Sequence, residues 1–543
     1  MTGIRPVKVL GVATALMIGA SLLSWTGASA APSDAWWKPK LAVEKTQPAK
    51  APLTMLPGQW AQVYQHPNAP CTELAGDPKP GICDYEENEE VEVHAPVPRK
   101  PSPLGFMKWD PELKLPQAKT RATQTTVRSG GDFTVSGGPV DTNVAAVGNR
   151  LLYTDNTSSG TIRASLDNGG SSWTWSRTAT TIFPDNPDGG WCCDQIVSYV
   201  PSIRRFIWVY MSRQSAGTAP KSRFRVSVIP PGSITSAGIT GPWQYFDITT
   251  DGLGLPDGQV DRPEVSFGDD FLYLGFHVGG TAILTRLNLD WLASGTGSDG
   301  LLWWNNGGGD SRPNTPTQNA GNTVYWMKVK DSSTLSIYSW AEDSSQVYVG
   351  ELTVPEFPID WSRQPTVSSG RYQAFRYVWP EYVEGAARSG DKLYFAWGGP
   401  DGGSRMPAAT NAMVMLASIS GANSGTLRLD RLGQWWSSTY ALGRPELTTV
   451  NGQLGAVMGM QDMKTDTINV LMLNDTTRSN YQFATSTVPE PLNRWGDYQS
   501  ISPWYDRVKG GTVLIASGYR TQPAPAGTTG NVQIANWGAI ATR

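Results

Sequence analysis

A short motif recurs along this chain, and its spacing constrains the possible fold more than any other feature. Its clearest copy is Asp-Arg-Pro-Glu-Val-Ser-Phe at residues 261–267. The other copies share the position before a proline, or the equivalent position where the proline is missing. The seven copies are Gly138-Pro139-Val140, Trp191-Cys192-Cys193, Arg262-Pro263-Glu264, Arg312-Pro313-Asn314, Trp379-Pro380-Glu381, Arg444-Pro445-Glu446 and Arg494-Trp495-Gly496. Successive copies lie 50 to 71 residues apart, which suits units of four short strands with loops of unequal length.

Short apolar runs follow the motif copies from about residue 123 onward, and Gly, Asn, Asp and Pro bound each run. Each run starts roughly 10–20 residues after its motif, as the second strand of a hairpin follows the first. Seven such units predict an all-β fold, a seven-bladed β-propeller over residues 123–543. We expect a strand within residues 123–135 to complete the last blade. Two β-sandwich domains are the alternative, but the motif spacing runs through the chain without a break.

The first 122 residues differ in character from the rest. Arg5 and Lys8 precede an apolar run and the sequence Ala28-Ser29-Ala30, a pattern typical of a secretory signal at residues 1–30. The apolar run is too short for a membrane anchor, which is the alternative. Residues 31–122 are rich in Pro and carry an acidic run at 86–90, so we expect an extension that wraps or tethers the propeller. The mature protein is predicted to be secreted.

The charge balance argues against nucleic acid as a partner. The chain has 44 Lys and Arg residues against 47 Asp and Glu residues, a formal net charge of −3. No cluster of basic residues is present to neutralise phosphates. We therefore predict neither a nucleic-acid partner nor a membrane partner, and the sequence does not address the oligomeric state.

Four cysteines in an exported protein are expected to be oxidised. Cys71 and Cys83 lie in a segment rich in Pro and Gly, and we predict that they close a small disulfide loop. Cys192 and Cys193 are adjacent in sequence. They form either a disulfide between neighbours or two buried thiols, and their place in a motif copy favours a functional role.

Two further segments resemble those of a known superfamily. Residues 165–173, Ser-Leu-Asp-Asn-Gly-Gly-Ser-Ser-Trp, resemble the Asp-box, Ser-x-Asp-x-Gly-x-Thr-Trp, with one extra residue before the Trp. Residues 494–498, Arg-Trp-Gly-Asp-Tyr, look like the opening strand of a blade in related secreted bacterial proteins. The chain thus resembles the sialidase-like β-propellers with Asp-box (BNR) repeats over about 123–543. This resemblance implies a carbohydrate site on the propeller axis, whereas the Asp-box itself is a folding element.

The resemblance also implies which residues would act. Sialidases hold the substrate carboxylate with three arginines, and they use a Tyr/Glu pair as nucleophile and an Asp as acid/base. The residues of this chain that stand at or near repeat starts with matching chemistry are Arg262, Arg444, Arg494, Glu264, Glu381, Glu446 and Asp497. The chain lacks the Phe-Arg-Ile-Pro segment with which sialidases supply the first arginine.

The residues point to a site independently of the resemblance. In a ring of repeats, equivalent positions converge near the axis, and clustered carboxylates push one another's pKa values apart, as acid/base cleavage of a glycosidic bond requires. The candidates for acid, base or nucleophile are Glu264, Glu381, Glu446 and Asp497. The candidates for substrate binding are the charged residues Asp194, Arg262, Arg376, Arg444 and Arg494 and the aromatic residues Tyr377, Trp379, Trp495 and Tyr498. The alternative is that these charges only pair with one another around a solvated tunnel.

His277 is the single histidine of the predicted propeller. It is either a residue at the end of a strand or the base of a lyase, which must remove a proton beside a uronate carboxyl group. A zinc site built from histidines is not predicted. We predict no cofactor and no catalytic metal, and a structural Ca²⁺ bound by oxygen ligands stays open.

Together these features predict a secreted carbohydrate-active enzyme that cleaves glycosidic bonds at the propeller axis. One alternative is a polysaccharide lyase on the same scaffold, with His277 or a Tyr as base. Another is a non-catalytic propeller that binds glycans or a protein, since propellers carry many unrelated functions.

Overall fold

The structure, a computed structural model, is nearly all-β, with many small sheets and two short α-helices in its described part. It describes residues 41–43, 81–85, 126–135, 141–156, 161–166, 173, 175–183, 189–213, 215, 221–239, 243–250, 253, 255, 258–294, 301–305, 312–344, 347–354, 356–357, 382–399, 412–436, 441–461, 466–473, 478–485, 499–505, 512–523 and 531–542. Across these ranges, no helix has the length and apolar character needed to cross a membrane.

Three strands precede the main series, namely β1 (Leu41–Val43), β2 (Gly81–Tyr85) and β3 (Thr126–Val135). Consecutive strands then form antiparallel groups in chain order. Group 1 consists of β4 (Asn143–Val147), β5 (Arg150–Asp155), β6 (Thr161–Ser165) and β7 (Trp175–Thr178), followed by α1 (Ala179–Ile182). Group 2 consists of β8 (Ile196–Val200), β9 (Arg205–Met211), β10 (Arg223–Ile229) and β13 (Gln244–Thr249), with a 3-10 turn (Pro231–Ser233) and a small hairpin of β11 (Ile234–Thr235) and β12 (Gly238–Ile239) inserted.

The later groups repeat this pattern. Group 3 consists of β14 (Val260–Phe267), β15 (Phe271–Val278), β16 (Thr281–Asn288) and β17 (Leu301–Asn305), with α2 (Leu289–Ser294) before the last strand. Group 4 consists of β18 (Thr323–Asp331), β19 (Thr334–Ala341) and β20 (Val347–Thr353). Group 5 consists of β21 (Val383–Ser389), β22 (Lys392–Gly399), β23 (Met413–Ser420) and β24 (Arg428–Trp436). Group 6 consists of β25 (Ala441–Val450), β26 (Gln453–Gln461), β27 (Asp466–Leu473) and β28 (Arg478–Thr485). Group 7 consists of β29 (Ser500–Tyr505), β30 (Thr512–Pro523) and β31 (Asn531–Thr542).

Many of the inner strands form because their sequences are apolar on both faces. Strand β9 reads Arg-Phe-Ile-Trp-Val-Tyr-Met, and every residue after the Arg is buried. Aromatic and β-branched residues suit such a pleated, buried surface. Separate hydrophobic clusters lie between successive groups. One joins Val209 and Phe224 of group 2 to Phe276 of group 3, and another joins Trp304 of group 3 to Trp326 of group 4. Each large buried side chain contributes roughly 1.5–3 kcal/mol.

We call the first strand of each group its opening strand. Contacts between opening strands lead from each group to the next and return to the first. Strand β4 contacts β8, β8 contacts β14, β21 contacts β25, and β25 contacts β29, which pairs with β4. Residues 312–320 lie between β14 and β21. Gln318 Nε2 donates to Val265 O at 2.6 Å, and Thr315 Oγ1 donates to Val383 O at 2.6 Å. This arrangement is consistent with a β-propeller, in which sheets are repeated around an axis.

The strand predicted within residues 123–135 is confirmed. Strand β3 pairs with β31 from Thr126↔Ala541 to Val135↔Gln533 and completes group 7 with a strand from before the first group. The N-terminal extension also contributes two strands. β1 pairs with β17 in parallel, and β2 pairs with β24 in antiparallel orientation. The Asp-box-like segment lies mostly outside the described residues, and the boundaries of the signal segment, extension and propeller stay predictions.

Candidate functional site

Two copies of the Arg-Pro-Glu motif form β-bulges in opening strands. The register of β14 shifts between Asp261 and Glu264, and the register of β25 shifts between Gly443 and Glu446. Proline fits a bulge because it has no N–H group to pair in the ladder. The arginine before each proline has a left-handed backbone, with φ 54° at Arg262 and 55° at Arg444. Such a conformation costs a non-glycine residue about 1–3 kcal/mol and clusters at functional sites.

Three glutamates from three opening strands interact electrostatically. Glu264 of β14 and Glu446 of β25, both predicted from the motif, are partly buried. Glu384 of β21 joins them, and its Oε1 atom accepts from Arg444 Nη1 at 2.6 Å. Arg444 is 2% exposed and Glu384 is 7% exposed, so this ion pair is shielded from water. We call Glu264, Glu384, Glu446, Arg262 and Arg444 the glutamate cluster.

The glutamate cluster holds its carboxyl groups in different states. Burial raises the pKa of Glu264 to about 8, and the charge of Glu384 adds to this rise, while Arg262 and Arg444 oppose it. Burial also raises the pKa of Glu446 well above its usual range, and the charges of Glu264 and Glu384 reinforce the effect. At neutral pH, Glu264 therefore carries a proton, whereas Glu384 forms the ion pair with Arg444. A proton donor and a carboxylate thus lie in one site.

An aromatic ring lies next to this cluster. The guanidinium carbon of Arg262 is 5.0 Å from the centroid of the Tyr382 ring, a cation–π distance. Tyr382 directly precedes β21 and lies two residues before Glu384. Tyr382 is 9% exposed, so its ring holds the partly exposed arginine in place and does not offer a free face of its own.

A second group of polar side chains lies at the start of β14. Asp261 and His277 are cross-strand partners, with 3.4 Å between Asp261 Oδ2 and His277 Nε2. Asp261 also hydrogen-bonds the Asp194 carboxyl group, and Asn156 Nδ2 lies 3.5 Å from Asp194 Oδ1. Burial raises the pKa of Asp261, but its hydrogen bonds with His277 and Asp194 outweigh that effect, so the net shift is downward. We call Asp194, Asp261 and His277 the aspartate–histidine cluster.

Cys192 and Cys193 are joined by a disulfide, which decides between the two alternatives left by the sequence. Both residues are partly exposed, and Cys193 packs against the apolar cluster between groups 2 and 3. Cys71 lies outside the described residues. The backbone of Cys83 lies in β2, opposite Gln434 of β24.

The structure brings together only part of the set chosen from the sequence. Glu264, Glu446, Arg262 and Arg444 meet in the glutamate cluster, and Asp194 and His277 meet in the aspartate–histidine cluster. The other candidates lie outside the described residues, namely Glu381, Asp497, Arg376, Tyr377, Trp379, Arg494, Trp495 and Tyr498. The described ranges contain no group of three or more His, Cys, Asp or Glu side chains placed to hold a metal ion.

Sequence reasoning missed Glu384, Asp261 and Tyr382. The motif copy of group 5 was placed on Glu381, but the bulge of β21 lies between Val383 and Gly385, so Glu384 takes the bulge position. In the sequence, Glu384 is marked by the glycine that follows it, immediately before the apolar residues of β21. Asp261 stands in the motif itself, but its partner His277 becomes visible only through the register of β14 and β15.

Comparisons with known proteins add little to this site. No family model matches the sequence, and no curated protein matches it. The chain is similar to the solved structure of xylan beta-1,4-xylosidase from Bacillus halodurans C-125, with 9% identity over 76% of this chain and 98% of that chain and a TM-score of 0.28. It is also similar to the AfRom2 CNH domain (8% identity, 76% and 98% coverage, TM-score 0.35) and to SapL1 lectin in complex with alpha methyl fucoside (12%, 65% and 97%, 0.31). Because these TM-scores are low, the function proposed next rests on the site alone.

Proposed function

We propose that this chain is a secreted seven-bladed β-propeller that hydrolyses glycosidic bonds, with the glutamate cluster as its active site. The observation that carries the proposal is that one buried cluster contains the Arg444–Glu384 ion pair and Glu264, whose pKa burial raises to about 8. Glycoside hydrolysis needs two carboxyl groups in these two states. Burial and the neighbouring charges supply the difference.

In this mechanism Glu264 is the general acid. Its proton passes to the oxygen of the leaving sugar as the glycosidic bond breaks. Glu384 is the carboxylate that attacks the anomeric carbon or activates the water that does so, and its buried Oε2 atom has no hydrogen-bond partner among the described residues. Arg444 forms an ion pair with its Oε1 atom. Burial raises the pKa of Glu446, which favours its protonated form as a hydrogen-bond donor to a substrate hydroxyl group.

Arg262 and Tyr382 form the substrate-binding wall of the site. The buried Tyr382 ring holds the guanidinium in place, and the guanidinium attracts an acidic or hydroxyl-rich substituent. The substrate class proposed is therefore a polysaccharide or oligosaccharide with acidic or branched sugars. No cofactor is needed for this reaction.

The test separates proton donation from the rest of catalysis. In E264Q, hydrolysis of unactivated oligosaccharides should fall by about 100-fold or more, since positioned acid catalysis contributes about 10²–10⁴-fold. Hydrolysis of 2,4-dinitrophenyl glycosides, whose leaving group needs no proton, should fall much less. E384Q should lose both activities. Equal losses of E264Q on both substrate types would reject Glu264 as the acid.

The matched control is E342Q. Glu342 is another partly buried glutamate, and it accepts a hydrogen bond from Tyr273 Oη at 3.2 Å outside the glutamate cluster. This variant should keep wild-type turnover on both substrate types. A loss in E342Q equal to that in E264Q would show that replacing any buried glutamate damages the fold.

A polysaccharide lyase is the second candidate, and the contact between His277 and Asp261 favours it. A carboxylate 3.4 Å from the imidazole can orient it as a base for the proton beside a uronate carboxyl group. Ultraviolet absorbance of an unsaturated uronate, formed together with new reducing ends, would select the lyase. Reducing ends without absorbance would select the hydrolase. Retention of the protein on glycans with no turnover would instead indicate a binding propeller.

A further inference from the structure

A rigid segment of four residues borders the aspartate–histidine cluster. Residues 191–194, Trp-Cys-Cys-Asp, lead into β8, and the disulfide closes a ring between the two adjacent cysteines. Cys192 N donates to Met211 O at 3.0 Å, and Trp191 forms a β-bridge with Ser212. The segment is therefore fixed to the end of β9 as well as within itself.

A buried arginine supports the segment from below. Arg225 is 1% exposed, and its guanidinium carbon lies 4.6 Å from the centroid of the Trp191 ring and 4.0 Å from that of Tyr245. Asp247 completes the support, since its two oxygens accept from Arg225 Nε at 2.7 Å and Nη2 at 2.9 Å. Such a desolvated, bidentate pair between aromatic rings holds Trp191 in one position.

The segment ends at Asp194, whose backbone is left-handed with φ 49°. Its carboxyl group hydrogen-bonds Asp261, and the next group in the row is the His277 imidazole. The row reaches solvent at Asp261, whose side chain is 43% exposed, whereas Asp194 is 8% exposed and the His277 side chain is 18% exposed. The His277 Nδ1 atom is buried and has no hydrogen-bond partner among the described residues. A partly exposed disulfide thus adjoins a row of polar groups that contains one exposed carboxyl group.

This combination matches the two faces of a sugar ring. The sulfur atoms form an apolar, polarizable surface for the C–H face, and the exposed Asp261 carboxyl group accepts hydrogen bonds from hydroxyl groups. The negative charge of this carboxylate repels an anionic sugar. We propose that the Cys192–Cys193 disulfide, Asp194, Asp261 and His277 form a second subsite, which binds a neutral sugar unit of the substrate of the proposed hydrolase.

The spacing between the two clusters fits a substrate of linked sugar units. Asp261 belongs to the second subsite and Glu264 to the glutamate cluster, and they lie three residues apart on β14. A strand rises about 3.3 Å per residue, so their Cα atoms are about 10 Å apart or less along it. A ligand of two or more linked sugar units is therefore long enough to contact both clusters, with the neutral unit on the aspartate–histidine side.

The proposal rests on the proposed hydrolase function, and the experiment compares substrates of two lengths. D194N and the double variant C192S/C193S are assayed on 4-nitrophenyl monosaccharides and on neutral tetrasaccharides of xylose, glucose and galactose. For the tetrasaccharide that the wild type cleaves, KM should rise about tenfold, the value of one hydrogen bond to a charged group. For the 4-nitrophenyl monosaccharide, kcat/KM should stay within about twofold, because that substrate fills only the glutamate cluster.

The control is R223M, which removes a partly exposed arginine of β10, the strand that also carries Arg225. Arg223 Nη1 contacts Asp247 Oδ2 at 2.7 Å but lies outside the row that would contact the sugar. R223M should leave KM unchanged for both substrate lengths. Equal losses of the two subsite variants on both lengths would show a structural role and overturn the subsite, as would no loss on either.

A binding measurement separates failure of the subsite from failure of the hydrolase. If the wild type cleaves neither these substrates nor acidic and branched oligosaccharides, the hydrolase is rejected, and calorimetry with the same neutral tetrasaccharides and with trigalacturonate tests the subsite alone. Binding of a neutral tetrasaccharide that weakens about tenfold in D194N supports the subsite. Binding of trigalacturonate only, or binding unaffected by D194N, overturns it, and so does the absence of any binding.

Discussion

Glu264 shows at the scale of one residue how burial selects the reactive state of a carboxyl group. Its pKa is raised to about 8, and a general acid reacts only in its protonated form. We expect kcat/KM for an unactivated oligosaccharide to fall as pH rises through about 8. E264Q should lack this limb of the profile. A limb that stays in E264Q would belong to another group of the site.

The same shift makes a prediction for stability. A folded-state pKa raised from 4.5 to about 8 means that the folded protein holds a proton that the unfolded chain releases between these values. The stability contributed by Glu264 is thus fully present below about pH 4.5 and is lost as pH rises to about 8. Relative to wild type, E264Q should gain on the order of 2 kcal/mol between these limits, a value reduced for partial exposure. Urea unfolding at several pH values measures it, and a difference that does not vary with pH would contradict it.

Arg444 and Glu384 form a buried ion pair in which each side chain supplies the counter-charge of the other. R444M leaves the Glu384 carboxylate buried without its counter-charge, and we expect a loss of about 3–5 kcal/mol in the free energy of unfolding. The double variant E384Q/R444M removes both charges and should recover much of that loss. Denaturant unfolding of the two variants measures the difference. A double variant as unstable as R444M would show that packing of the arginine, and not its charge, stabilises the site.

At the scale of the element, glycines let one opening strand pack against the preceding group. A Cβ atom on Gly275 of β15 would lie 1.9 Å from the carbonyl oxygen of Asn314, and one on Gly385 of β21 would lie 2.9 Å from that of Pro445. Gly275 pairs with Glu264, and the bulge position of Glu384 directly precedes Gly385. The bulges that present the glutamates therefore depend on close approach of the next strand.

We expect G275A to separate groups 3 and 4 and to destabilise the protein by about 2–4 kcal/mol, since added volume in a packed interior forces the backbone to move. The control is G232A, in the turn Pro231–Ser233, where an added Cβ meets nothing within 4 Å. G232A should change stability by less than about 0.5 kcal/mol. Thermal unfolding of both variants measures the contrast, and equal stabilities would contradict the packing argument.

These elements also show what could be predicted from the sequence. The motif located the opening strands and found Arg262, Glu264, Arg444 and Glu446, because a bulge with proline has a local sequence signature. It missed Glu384, since the bulge of β21 contains no proline and is marked only by Gly385. It did not predict β1 and β2 either. A strand of three to five residues is specified by the edge that it joins, here β17 and β24, and not by its own periodicity.

For the whole molecule, one strand from before the first group covers the outer edge of group 7. Strand β3 pairs with the 12-residue strand β31, and β29 of the same group pairs with β4 of group 1. The N-terminal and C-terminal parts of the chain thus share one sheet. Such closure leaves fewer exposed strand edges, which otherwise pair with other molecules.

Two truncated chains test this closure directly. Both lack the extension with β1 and β2, but one begins at residue 123 and keeps β3, whereas the other begins at residue 137 and lacks it. Without β3, the backbone groups of β31 that now pair with it become an open edge. We expect the shorter chain to unfold on the order of 5–10 °C lower and to aggregate in a concentration-dependent way. Adding a peptide of residues 123–136 should restore part of this loss, because it can occupy the same edge. Equal unfolding temperatures for the two chains would mean that the remaining sheets hold together without this strand.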